Sequence, residues 1–450
     1  MGKAIDTLKD IKIVKTFTNI WRIEDLRSRI LITLLFVAIY RFGSYIVLPG
    51  VNTEALQGLR NQTEGGLMSL LDMFSGGAFS QASIFALGIM PYISASIVMQ
   101  LLGIAVPYFQ KMQREGESGR RKMNQYTRYL TVAILLFQGP MYLINLRTQT
   151  AGSAIYPSLD WNLFILTSVI ILAAGSMFVL WLGERITDRG IGNGVSIIIM
   201  IGIIARFPTA VIQEFSSRLT SGQGGLVLFL VEIVLFLAVI SAAILLVQGV
   251  RQVPVNYAKK IAGARQIGGA RQYIPLKPYA ANVMPIIFAQ AIMFIPITLA
   301  QLSGSKLNPV VTQLIDNNSF LYNFIFAVLI VLFTYLYTAI TINPVQMAED
   351  MKRNNGFIPG VKPGKDTADY IDRIMSHITL PGSLFLALIA ILPAFAGLFG
   401  VQREFAAFFG GTSLLILVGV VLDTLMQIES HLMMRHYDGL LDKGRVRGEH

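Results

Sequence analysis

The chain is dominated by runs that contain no Asp, Glu, Lys or Arg: 73–110, 129–146, 161–183, 278–305, 317–348 and 374–402, with a shorter run at 190–205. Three more runs hold one charge each: 30–48 (Arg41), 219–250 (Glu232) and 406–428 (Asp423). A membrane-spanning helix needs about 20 mostly apolar residues. The pattern therefore predicts ten spans, at 30–48, 83–103, 129–146, 161–183, 192–212, 225–248, 281–301, 318–341, 378–400 and 406–427. The stretch before the first span mixes charge with Ile5, Leu8, Val14, Phe17 and Trp21. It reads as an amphipathic helix lying at the interface rather than as a cleavable signal.

Composition agrees with this reading. Hydrophobic residues make up 54% of 450, and charged residues only 14%. Soluble domains are about a quarter charged. This chain is expected to be an all-α integral membrane protein. Of its 37 Lys and Arg residues, 30 fall in the N-terminal segment, the even-numbered loops and the tail; five fall in the odd-numbered loops, and Arg41 and Arg206 lie within spans. Such asymmetry places the basic side in the cytoplasm, with both termini there. Cysteine is absent, so disulfides and thiolate chemistry are excluded. Gly2 does not make a myristoylation signal, because Asp6 stands where Ser or Thr is required.

The spans divide five and five. Met90-Pro91 in span 2 is matched by Met284-Pro285 in span 7. Gly194-Val195-Ser196-Ile197 at the start of span 5 is matched by Gly411-Thr412-Ser413-Leu414 at the start of span 10. An odd number of spans per half makes the halves antiparallel. An inverted repeat places the functional path at the interface between halves. The expected segments are an N-terminal stretch 1–29, halves at 30–212 and 213–427, and a tail 428–450.

No catalytic or metal constellation stands out. His377, His431, His436 and His450 form no H-E-x-x-H pair. Gly360 to Lys365 lacks phosphate-loop spacing and reads as a turn. No cofactor is expected. Arg41, Glu232 and Asp423 are intramembrane charges and so are functional candidates. Arg41 can instead snorkel or brace loop carbonyls. Glu232 is single in sequence, with no evident partner. Leu67 to Phe74, between Gly65-Gly66 and Gly76-Gly77, is apolar but too short to cross a bilayer. A small helix on glycine hinges, folded into a cavity, fits it. A helix lying flat at the interface fits equally.

Several ordered stretches converge on one family. They include Met73-Phe74-Ser75-Gly76-Gly77-Ala78, Ser83 to Ser96, Asp188-Arg189-Gly190-Ile191-Gly192-Asn193-Gly194, Pro254 to Lys259, Gly356-Phe357-Ile358-Pro359-Gly360, Leu380-Pro381-Gly382 and Gly410-Gly411-Thr412-Ser413. Over essentially its whole length the chain resembles the SecY family, the channel subunits of the Sec protein translocon. The resemblance implies ten helices in two inverted five-helix halves around a central pore. It implies a pore ring of Ile89, Ile93, Val195, Ile199, Ile287 and Ile416. Stiff β-branched side chains in a narrow apolar constriction block ions and grip no passing sequence. It makes about 62–80 a plug, with Leu67, Leu70, Leu71, Met73 and Phe74 as its apolar face. It assigns a lateral gate to spans 2, 3, 7 and 8, with Pro91, Pro285, Ala291 and Ile295. The two prolines are expected to permit kinks.

The resemblance also supplies partners. The basic loops 249–280 and 342–377 would contact the ribosome and a SecA-like ATPase motor through Lys259, Lys260, Arg265, Arg271, Lys352, Arg353, Lys362 and Lys365. Lys362 departs from the family's usual Arg, and Arg and Lys differ in bidentate reach. SecE-like and SecG-like small membrane subunits, signal sequences, secretory precursors and membrane lipids complete the set. The expected location is the bacterial inner membrane, and the expected function is a non-enzymatic conduit for unfolded polypeptides. Two rivals compete: an ion-coupled transporter using Glu232 or Asp423, and an intramembrane enzyme, for which no nucleophile–base pair exists.

Overall fold

A computed structural model describes residues 21, 23–53, 56, 72, 74–150, 152–156, 160–220, 225–257, 260–262, 265–267, 271–278, 284–290, 292–293, 313 and 319–445. They form two compact units, one of residues 1–208 with 420–450, the other of 209–419.

In the first unit, α1 (Glu24–Gly43) is followed by α2 (Met90–Ala105), α3 (Pro107–Arg114), α4 (Glu117–Gln149) and α5 (Trp161–Arg189). The N-terminal part of α6 (Gly194–Thr220) belongs here as well. α1 packs on α5, α4 on α5, and α2 on α4. The first helix starts at Glu24 rather than Ile30 and stops at Gly43, so residues 44–48 leave the helix. Span 2 starts at Met90, because 75–88 run through turns. Pro91 thus sits in the first turn of α2. There its missing N–H is one of the free donors in any case, so it starts the helix and does not kink it. That corrects the expected role of Pro91.

A glycine controls the entry to α6. A Cβ on Gly194 would collide with the Gly183 carbonyl of α5. The same turn is capped by hydroxyl and amide oxygens. Gly194 N–H donates to Thr187 Oγ1 (2.9 Å) and Ser196 N–H to Asn193 Oδ1 (3.3 Å). Ile191 N–H donates to Thr33 Oγ1 of α1 at 3.1 Å.

The second unit holds α7 (Gly225–Gln248), β1 (Arg251–Tyr257), β2 (Lys260–Ala262), β3 (Arg265–Ile267) and β4 (Arg271–Leu276). After it come α8 (Phe320–Thr341), α9 (Pro344–Arg353), β5 (Gly356–Phe357), α10 (Lys365–Leu398) and α11 (Arg403–Ala406). α12 (Gly411–Arg445) begins in this unit. Residues 284–290 are helical, within the expected span 7. α8 packs along α10.

The two long basic loops are not independent. β1 pairs antiparallel with β4, Val253 opposite Ile274, and also with β5, Asn256 opposite Phe357. The three-stranded sheet seats Val253, Val255 and Leu276 against Met351, Ile358, Ile371 and Met375. One apolar core therefore joins both loops to α9 and α10.

Seven described helices are long and apolar enough to cross a membrane, and α2 with α3 forms a bent eighth candidate. Of the ten expected spans, the first is α1 and the seventh lies mostly outside the described residues.

Candidate functional site

The segment leading into α2 has no regular hydrogen-bonding pattern of its own. Gly76 (φ 65°), Gly77 (φ 92°), Ala82 (φ 46°) and Gly88 (φ 53°) take left-handed backbone. Four such positions within 13 residues forbid a continuous helix. Yet the segment is buried: Phe74, Ala78, Phe79, Ala82 and Phe85 are core residues, and so is Asp72, at 1% exposure. Buried irregular backbone must find partners for its polar groups.

Those partners come from helices distant in sequence. Arg41 in the last turn of α1 donates from Nη1 to the Gly76 carbonyl at 2.9 Å. Tyr40 donates its hydroxyl to the Ser75 carbonyl at 3.2 Å. From α4, the Tyr142 hydroxyl donates to the Phe79 carbonyl at 2.8 Å, with the two rings edge to face. Asp72 accepts from Ser80 N–H at 2.7 Å and forms an ion pair with Arg206 of α6. Ser83 bridges to Val47, flanked by Leu48 N–H to the Ala82 carbonyl and Ile84 N–H to the Ile46 carbonyl, both 2.9 Å. Arg41 is therefore the carbonyl brace that the sequence allowed.

Where the segment meets α6 the contact is backbone to backbone. A Cβ on Gly202 would stand 2.7 Å from the Phe74 carbonyl and 3.3 Å from Gly76 N. Val195, Ile199, Gly202 and Arg206 are spaced four, three and four apart. That spacing puts them on one helix face. Two residues of this stripe, Gly202 and Arg206, hold the segment; the other two are expected ring residues one and two turns along.

The remaining expected residues are placed as follows. Ile89 is the residue before α2 and is buried; Ile93, one turn in, is half-buried. Val195 is half-buried and Ile199 buried. In the second unit Pro285 is buried, Ile287 half-buried and Ile416 of α12 buried. Of the expected plug residues only Phe74 is described, and it is buried; Leu67, Leu70, Leu71 and Met73 lie outside the described residues, as do Ala291, Ile295 and Lys259. Lys260, Arg265 and Arg271 start or lie in β2, β3 and β4, and their side chains fall outside the described set. Lys352 and Arg353 are exposed in the last turn of α9. Lys362 and Lys365 are exposed beside the turn into α10, whose Thr367 hydroxyl donates to the Lys362 carbonyl at 2.8 Å.

Sequence reading missed the Asp72–Arg206 pair. It treated Arg206 as an interruption of span 5 and Asp72 as part of an apolar run. The available signal was that each is a lone charge inside an apolar stretch, which calls for a partner. It also left Glu232 single. In the second unit Arg218 donates to Glu232 Oε1 (2.6 Å), to Glu214 Oε1 (2.8 Å) and to the Gly400 carbonyl (2.9 Å). Gln402 N–H donates to Glu214 Oε2 at 2.8 Å. Glu232 is thus committed to a structural cluster, and Asp423 is exposed on α12. Neither residue supports the ion-coupled reading. Among the described residues no group of acidic, His or Cys side chains could hold a metal ion.

Known proteins resemble this chain along its length. A family model described as SecY matches residues 83–425. The protein translocase subunit SecY of Streptomyces galbus is 42% identical over 438 residues, which is 94% of this chain and 99% of that protein. That of Aquifex aeolicus is also 42% identical, over 93% of this chain and 97% of its own. A solved structure described as a protein conducting channel superimposes with a TM-score of 0.63 at 16% identity, covering 90% of this chain and 92% of its own. The Sec61 channel from a canine ribosome-channel complex gives 0.59 at 16% identity, with the same coverages.

Proposed function

From the premise that the chain belongs to the SecY family, and so is a channel subunit of a protein translocase and not an enzyme, we propose how its residues perform the task. The pore is passive. Unfolded secretory polypeptides thread past the ring of Ile89, Ile93, Val195, Ile199, Ile287 and Ile416. At rest the plug, about 62–80, closes that path. Its base is hinged at Gly76-Gly77 and anchored through Asp72 to the same face of α6 that carries Val195 and Ile199. This anchoring is the observation that carries the reading. An apolar ring offers no hydrogen bonds to a passing chain, so any sequence slides, while water and ions are excluded when the gap is narrow.

A signal sequence displaces the plug by entering the lateral gate near Pro91, Pro285, Ala291 and Ile295. An apolar span then leaves through the gate into lipid, driven by roughly 0.8 kcal/mol per buried CH₂. The energy of translocation comes from a partner. The basic loops 249–280 and 342–377 would offer Lys259, Lys260, Arg265, Arg271, Lys352, Arg353, Lys362 and Lys365 to a SecA-like motor or to ribosomal RNA. The latter contact would weaken steeply with salt. Small SecE-like and SecG-like subunits complete the complex. The membrane is the bacterial inner membrane, with both termini cytoplasmic.

The absence of native cysteine gives a clean test. A single Cys replaces Ile199, another is placed in a secretory precursor arrested midway, and oxidation is followed by gel shift. A disulfide at Ile199→Cys and none at the exposed Ile204→Cys places the polypeptide in the pore. No adduct with an engaged precursor overturns the ring assignment.

A further inference from the structure

The second unit holds a cavity of about 70 Å³ between the C-terminal part of α8 and the Asp372–Thr379 stretch of α10, lined by Tyr335, Thr338, Asp372, Ser376 and Thr379 among others. Two of its hydroxyls, Thr338 Oγ1 and Thr379 Oγ1, are buried and have no hydrogen-bond partner. Their residues are 7% and 1% exposed. This is unusual in the same helix: Thr334, one turn earlier, donates to the Ile330 carbonyl at 2.7 Å. Buried hydroxyls left unmatched are destabilising, so a ligand that matches them is favoured there.

The lining defines the ligand's chemistry. The lining includes the exposed Asp372, a carboxylate, together with Thr338, Thr379 and Ser376, which carry hydroxyl oxygens, and the aromatic Tyr335. An ammonium group carries three N–H donors and no acceptor, and an aromatic face attracts it. An anion would meet the carboxylate. A purely apolar group would leave both threonines unmatched. A trimethylammonium has no N–H to give and would leave both threonines unmatched, whereas a primary ammonium can donate to them.

The surroundings indicate where the ammonium comes from. Leu332, Ile340, Leu380 and Leu384 are about half exposed on the outer faces of α8 and α10. In membrane-spanning helices such faces meet acyl chains. Tyr335 lies at the helix end where aromatic belts form. Arg373 and His377, both exposed, follow Asp372 and Ser376 by one position on α10. A cation is thus available for the phosphate of the same headgroup. We propose that this cavity is a binding site for the ammonium of an aminophospholipid headgroup, with phosphatidylethanolamine as the matching zwitterion.

The test uses the full-length chain in detergent, with native mass spectrometry of retained lipid. Phosphatidylethanolamine, phosphatidylcholine and phosphatidylglycerol are supplied at equal mole fraction, and free ethanolamine is assayed separately by thermal shift. The expected result is a preference of about tenfold for phosphatidylethanolamine over phosphatidylcholine, equivalent to 1.4 kcal/mol. Asp372→Asn, at an exposed position, should abolish the preference without lowering the unfolding midpoint. Thr379→Val should weaken it, and Thr379→Ser should restore it. Equal retention of the two lipids, or a preference that survives Asp372→Asn, overturns the proposal in favour of a water-filled cavity. Free ethanolamine protecting as well as the lipid overturns the lipid source.

Discussion

Arg206 and Arg218 each tie an irregular segment to a helix through carboxylates, and they do so with different numbers of them. In the first unit Arg206 meets one carboxylate, Asp72, which also accepts the Ser80 N–H. In the second unit Arg218 lies between two carboxylates, Glu214 and Glu232, and also holds the Gly400 carbonyl. Arg218 and both glutamates are almost fully buried, whereas Arg206 remains 19% exposed. Glu232 Oε2 has no hydrogen-bond partner. The Asp72 anchor thus leaves its cationic end partly exposed, while the Arg218 cluster is buried and holds one more carboxylate than guanidinium. A partly exposed ion pair can exchange its contact for solvent and so opens at lower cost. A sealed cluster has no such exchange and fixes its loop permanently.

The largest expected effect comes from breaking the sealed cluster. Arg218→Met leaves two buried carboxylates uncompensated and should cost about 3–5 kcal/mol, read as a lowered unfolding midpoint in detergent. Adding Glu214→Gln and Glu232→Gln should recover most of it; no recovery would mean that the guanidinium's packing, not its charge, matters there. Arg206→Met strands a single carboxylate, so its expected cost is smaller, about 2–3 kcal/mol. Its sharper signature is functional: resting ion conductance should rise in planar bilayers. A tight channel after Arg206→Met would show that the seal does not depend on this anchor.

Gly202→Ala tests the contact beside the anchor. Its Cβ would press on the Phe74 carbonyl at 2.7 Å, and overpacking of this kind costs about 1–3 kcal/mol. The same leak assay should respond. Tyr142→Phe removes one hydroxyl from the Phe79 carbonyl and should cost about 1 kcal/mol. Faster amide exchange across 75–84, with little change in midpoint, is the expected reading. Equal exchange rates would place the segment's stability in its packing alone.

Much of the fold was readable without coordinates. Runs such as 161–183 and 225–248 admit one interpretation, since backbone in lipid must satisfy itself within a helix. They correspond to α5 and α7. Helix ends were read less well. Residues 83–88 are apolar enough to extend span 2, yet they fold as turns because Gly88 is left-handed and Ile84 is committed to Ile46. The pore ring rested on resemblance, because an isoleucine facing lipid and one facing a pore look identical in a single sequence. Of the site's polar anchors only Arg41 was legible as a carbonyl brace; the partners of the others were not, since nothing local links Asp72 to Arg206 or Tyr142 to Phe79.

Hydropathy and glycine placement therefore determined, from the sequence alone, that the chain spans a membrane many times and carries a short apolar stretch between glycine pairs before span 2. Both are local properties: solvent transfer is summed over about 20 residues, and left-handed backbone is set residue by residue. Tertiary structure alone decided which charge answers which, that β5 closes the sheet begun by β1, and that Gly202 lets the segment touch α6. Those outcomes depend on distance in space between residues far apart in the chain. In a buried, low-dielectric setting each unpaired group is costly enough to dictate its partner, but the sequence does not record where that partner lies.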